Sequence, residues 1–198
     1  GLALLQWPQG AFVSQRGQPD GTGQALWAFE QAWLRPAPGD SLHRFVEAAL
    51  RAVGWCERQR EFGRQSGWPF GTMMPFADPG DNELVRAQLV GTDAWTIAGY
   101  RATARLLRGA GRMAEADSVA EAGARYLADL LLALERSGSH DVPPSWQRVG
   151  YDWGNLSVVW PCGVLAADDP RVAALARRVW ATAGGAGLCT YGPTDSLH

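Results

Sequence analysis

Apolar side chains along this chain recur with the spacing of helices. Leu42, Phe45, Val46, Ala49, Leu50, Val53 and Cys56 follow the i, i+3, i+4, i+7 series of a helix with one apolar face. Arg44, Glu47, Arg51, Glu57 and Arg58 fall on the other side and read as a solvated face. The stretch 113–136 repeats the pattern: Val119, Gly123, Tyr126, Leu127, Leu130 and Leu134 make one stripe, and Glu115, Asp117, Glu121, Arg125 and Asp129 lie opposite. A further run starts at Pro170, a favoured first helical position, behind Asp168 or Asp169 as cap. Its expected buried stripe is Val172, Leu175, Ala176, Val179, Trp180 and Ala183.

Other helical runs are apolar on more than one side. From Gln24 to Arg35 the chain reads as a helix that Pro36 stops. From 93 to 108, Ala94, Ala98, Gly99, Ala102 and Ala104 stand beside Ile97, Leu106 and Leu107, which predicts an inner helix packed closely by its neighbours. Residues 152–160 are helix-like, with a strand as alternative because of Val158, Val159 and Trp160, and Pro161 ends them.

The connections alternate in length. Pro36-Ala37-Pro38-Gly39 and Gly109-Ala110-Gly111 are short, whereas 61–90 and 137–150 are long and carry aromatics. A short helical turn from Glu83 to Leu89 is expected inside the first long one. Loops this long within a domain are usually functional or disordered, and the aromatics argue against disorder. The expected order is long loop, inner helix, short turn, outer helix, three times over. Antiparallel hairpins of this kind bring the long loops to one end. Each inner run opens on an acid near glycine and tryptophan: Asp20 before Trp27, Asp93 before Trp95, and Asp152 before Trp153.

Composition narrows the function classes. A formal charge of −2 over 198 residues points to neither nucleic acid nor an anionic membrane as partner. Three cysteines without CxxC spacing and three scattered histidines suggest no disulfide framework, metal site or cofactor. No apolar run approaches the roughly 20 residues that span a bilayer. The expectation is a soluble protein, bacterial cytoplasmic or secreted, forming one domain over 1–198 that is a fragment of a longer chain. Ten tryptophans are the compositional outlier. Many will fill the core, but flat aromatic faces also suit the C–H faces of sugar rings.

The motifs Asp20-Gly21-Thr22-Gly23-Gln24-Ala25-Leu26-Trp27, Thr92-Asp93-Ala94-Trp95 with Gly99, and Tyr151-Asp152-Trp153-Gly154-Asn155-Leu156 resemble the six-hairpin glycosidase superfamily. The resemblance implies an all-α carbohydrate-active domain, part of an (α/α)6 toroid, with its cleft at the loop end of the inner helices. It also implies that about three of six hairpins are here and that the remaining hairpins of the parent chain close the ring.

Glycoside hydrolysis needs two carboxyl groups flanking the scissile bond, one donating a proton and the other activating water or attacking. Asp93 and Glu83 are the expected catalytic pair. Asp20, Gln24, Trp27, Trp68, Trp95, Trp146, Asp152, Trp153 and Asn155 are the expected substrate-binding residues. A phosphorylase or lyase of similar form is a variant of this reading. Two alternatives stand beside it. Each acid can be a helix cap worth about 1 kcal/mol. The whole chain can be a non-catalytic helical-hairpin solenoid serving as a protein-interaction scaffold, although such repeats are usually shorter, about 30–47 residues.

Overall fold

A computed structural model describes residues 2–13, 18–35, 42–78, 85–152 and 154–182. Five α-helices dominate the described residues: α1 (Asp20–Leu34), α2 (Leu42–Gln65), α3 (Val90–Gly109), α4 (Met113–Arg136) and α5 (Pro170–Thr182). Short 3-10 helices cover Leu2–Leu5 and Gly154–Val158. No strand occurs among the described residues; two isolated antiparallel bridges, Ala77 with Ala87 and Leu89 with Ser145, pin the long connections.

α3 is the central element. Of its 20 residues 15 are buried, and it packs against α1, α2, α4 and the Gly154–Val158 helix. Its small residues make this possible. A Cβ on Gly23 of α1 would lie 2.4 Å from the carbonyl carbon of Trp95, and one on Gly99 would lie 2.9 Å from Cβ of Leu26. Farther along, Arg105 pairs with the buried Glu30, and Gly109 meets the ring of Trp33. The partners advance together from 23 to 33 and from 95 to 109, so α1 and α3 run parallel in close contact. Each returns through an antiparallel outer helix. Full burial of Ile97, Leu106 and Leu107 contributes about 1.5–3 kcal/mol per side chain before entropy is counted.

This arrangement carries the two long connections and the N-termini of α1 and α3 to one end. Arg60, in the last part of α2, donates to the carbonyl of Thr72 at 2.8 Å and to Asp129 on α4 at 2.7 Å. Gln88 is fully buried and ties the loops: its side chain donates to the carbonyls of Phe70 and Met74, and its own carbonyl accepts from the Trp146 amide.

Several boundaries differ from expectation. α1 begins at Asp20, and α2 continues to Gln65 past Gly63. Gly63 is no breaker there; a Cβ on it would lie 2.7 Å from the carbonyl oxygen of Gly71. α3 begins at Val90, and residues 85–89 are extended, because Ala87 and Leu89 pair with other loop residues. The third inner element is only the five-residue Gly154–Val158 helix. Its β-branched end and the following Pro161 disfavour propagation. On α5, Leu175 is buried, but Ala176 is exposed and Trp180 is 76% exposed, contrary to the expected stripe. The cap of α5 is Asp169, which accepts the Arg171 amide at 2.9 Å. No described helix is long and apolar enough to cross a membrane.

Candidate functional site

The parallel N-termini of α1 and α3 meet the start of the Gly154–Val158 helix around a hollow. Its lining is Asp20, Leu89, Gly91, Thr92, Trp95, Pro144, Tyr151 and Gly154, around a small cavity of about 20 Å³. Gly91 and Gly154 set its floor: a Cβ on Gly91 would lie 2.5 Å from the Gly154 carbonyl carbon, so only glycine allows these backbones to touch. Pro144 is fixed through its carbonyl, which accepts the Val90 amide at 3.3 Å. Tyr151 stands at the lip, 43% exposed. It follows a turn in which the Ser145 hydroxyl donates to the Val149 carbonyl at 2.7 Å and accepts its amide at 3.0 Å.

Of the expected site residues, Asp20 and Trp95 line this hollow. Asp20 does not cap α1; its Oδ2 accepts from the exposed Gln24 amide at 2.8 Å. Trp27 is half-buried and meets Trp95 edge to face, with ring centroids 6.0 Å apart.

Asp93 lies deeper, with no exposed surface. Its Oδ1 accepts the Met74 amide at 2.8 Å and the Tyr126 hydroxyl at 2.5 Å, and its Oδ2 accepts the Trp146 indole N–H at 2.7 Å. The carboxylate thus joins α3 to α4 and to both long connections, and it does not cap its own helix. Burial pushes its pKa up to about 6, against the lowering effect of these donors. The Tyr126 hydroxyl is pushed well above its ordinary range by burial and by the neighbouring Asp93, and so remains a donor. Over the Tyr126 ring, 3.6 Å from its centroid, sits the buried Arg60 guanidinium. A carboxylate enclosed in this way ties the loops together and does not line the hollow. Glu83, its expected partner, lies outside the described residues, as does Trp153.

The other expected residues that are described do not line the hollow. Trp146 is 3% exposed; besides serving Asp93 it stacks on Phe70 at 5.2 Å. Trp68 sits between Phe62 and Phe76, edge to face with both. Asp152 is bound by Arg178 of α5 and accepts the Asn155 amide at 2.8 Å. Asn155 is buried and also donates to the Val142 carbonyl at 2.9 Å. Arg178 binds Asp141 as well, at 2.6 Å. Burial raises the Asp141 pKa, but hydrogen bonds from Ser139 and Arg178 outweigh it and hold the group below the usual carboxylate range.

Sequence reasoning singled out neither Thr92 as a lining residue nor the roles of Tyr126, Gln88 and Arg178. Tyr126 carried a signal, a phenol on an otherwise aliphatic stripe; Gln88 and Arg178 carried none. Burial pushes the Cys162 thiol up to about 12, and that of the fully buried Cys56 higher, so neither supplies a thiolate near neutral pH. Among the described residues no group of three His, Cys, Asp or Glu side chains is placed to hold a metal ion.

Comparison with protein-family models, with curated proteins and with solved structures yields no match for this chain.

Proposed function

We propose that this chain is part of a carbohydrate-active helical-hairpin domain of the (α/α)6 type, and that the hollow at the helix N-termini belongs to its glycan cleft. The observation that carries this reading is the joining of a carboxylate, Asp20, with two aromatic side chains, Trp95 and Tyr151, at one concavity. Pockets that combine apolar walls with a few placed polar groups are the usual form of small-molecule sites. In this reading Trp95 and Tyr151 receive C–H faces of a ring, and Asp20 accepts from its hydroxyls. Asp93 is a positioning residue that holds the loop carrying Pro144 through Trp146.

The reaction proposed is cleavage of a glycosidic bond by a carboxylate pair. Asp20 is the described carboxylate at the hollow, and Glu83 remains the candidate partner from the sequence. A ring of hairpins also gives Trp160 and Trp180 a place. Both belong to the third unit and are 79% and 76% exposed, as expected of a face that meets a neighbouring hairpin.

The test is glycan binding and hydrolysis by the natural full-length chain and its Asp20→Asn and Tyr151→Ala variants, with folding checked by circular dichroism. The reading expects binding to weaken at least about tenfold in both, near 1.4 kcal/mol. Undiminished binding and turnover in both variants would sink it.

A further inference from the structure

Two polar side chains at the N-terminal end of α3 are fully buried, Gln88 just before the helix and Asp93 in its first turn. Each is held by both long connections. The Gln88 side-chain amide donates to the Phe70 carbonyl at 3.0 Å and to the Met74 carbonyl at 2.9 Å. From the other connection Gln147 meets Gln88 twice. The Gln88 backbone N–H donates to Gln147 Oε1 at 2.8 Å, and Gln147 Nε2 donates to Gln88 Oε1 at 3.1 Å. The Gln88 carbonyl accepts the Trp146 amide at 2.9 Å. Every polar group of Gln88, backbone and side chain, is thereby engaged. Asp93 repeats the arrangement, with the Met74 amide from one connection and the Trp146 indole from the other. The rings of Phe70 and Trp146 join the two connections directly, stacked at 5.2 Å.

We propose that residues 70–77 and 144–147 form one strap across the N-terminal end of α3, fastened at Gln88 and Asp93, which lifts and closes as a single unit. If 144–147 left alone, Gln88 would lose Gln147 and the Trp146 amide, and Asp93 the indole. If 70–77 left alone, both protons of the Gln88 side-chain amide would lose their acceptors, and Asp93 the Met74 amide. Buried polar groups without partners are costly, and water that reaches Gln88 or Asp93 undoes the fastening of both connections. Away from this seam the two are anchored to different helices. The Thr72 carbonyl accepts from Arg60 of α2, whereas Asp141 and the Val142 carbonyl accept from Arg178 of α5. Leu89, bridged to Ser145, and Pro144 wall the hollow, so the hollow widens as the strap lifts. The strap is independent of what the hollow binds.

Native-state hydrogen exchange of the natural full-length chain at low urea tests this. Three amides report: Met74 on Asp93, Ala77 on the Ala87 carbonyl, and Trp146 on the Gln88 carbonyl. They should share one opening equilibrium and one urea dependence, with less protection than Leu106 and Leu107 inside α3. Gln147→Ala alters the second connection. It should nevertheless speed exchange at all three amides by the same factor, about tenfold, and leave Leu106 and Leu107 unmoved. Urea dependences that differ between Trp146 and the other two overturn the inference, as does merging of all three with Leu106 and Leu107. An effect of Gln147→Ala confined to Trp146, or no effect at all, overturns it too. If the variant does not fold, the urea dependences of the parent chain decide alone.

Discussion

Tyr126 on α4 donates a 2.5 Å hydrogen bond to Oδ1 of Asp93 in the first turn of α3. With the Met74 amide and the Trp146 indole it completes a set of three donors around one buried carboxylate. Replacing Asp93 by Asn leaves an oxygen for some of these donors but turns an N–H group toward at least one other. Asp93→Asn is expected to lose about 1–3 kcal/mol, the cost of an unpaired buried donor. Tyr126→Phe removes a single donor and should cost less. Urea unfolding at pH 7 checks the order.

The same carboxyl has a pH signature. Its pKa is about 6 in the folded chain, above the ordinary aspartate value of 3.8, so the folded state binds the proton more tightly. Between those values the folded state holds more protons than the unfolded one, and stability from this group falls as pH rises. The contribution is fully present below about pH 4 and lost above about pH 6, some 3 kcal/mol in all at 1.36 kcal/mol per pH unit. The stability gap between the parent chain and Asp93→Asn should therefore be wider at pH 4 than at pH 7. A gap that is flat or widens with pH contradicts the assignment.

Helix periodicity made much of the fold legible. α4 matches its expected bounds because its stripe is uninterrupted from Val119 to Leu134. The small residues of α3 correctly marked an inner helix. What stayed hidden depends on partners far along the chain. Asp93 reads locally as a cleft acid, and only Tyr126 and Trp146, 33 and 53 residues away, reveal it as an enclosed one. The end of α2 was missed for the same kind of reason, since Gly63 is explained by Gly71 and not by its own helix. Asp20 and Trp95 were legible as neighbours because parallel inner helices bring their N-termini together.

Close approach of α1 and α3 makes Gly23 intolerant of a side chain. In Gly23→Ala the new methyl meets the Trp95 backbone at 2.4 Å, and neither helix backbone can yield cheaply. A loss of about 1–3 kcal/mol is expected from such overpacking. Gly138→Ala, with φ of 62° and open space around it, should show only the cost of a left-handed backbone, about 1 kcal/mol. Thermal unfolding of the two variants checks the contrast.

Arg178 fastens α5 to the loop before the 3-10 helix through Asp141, Asp152 and the Val142 carbonyl. Arg178→Met should loosen that unit and leave the interior of α3 unchanged. Hydrogen exchange is the measurement: amides of 141–152 and 170–182 exchange faster, and those of 97–107 do not.

The most direct measurement on the sugar-binding claim follows the tryptophan indole N–H signals of the natural full-length chain by NMR as neutral disaccharides are added. The account predicts that the Trp95 signal shifts in a saturable way and that Asp20→Asn weakens the response about tenfold. Saturable binding that leaves Trp95 unmoved, or no binding by any of the sugars, would contradict it.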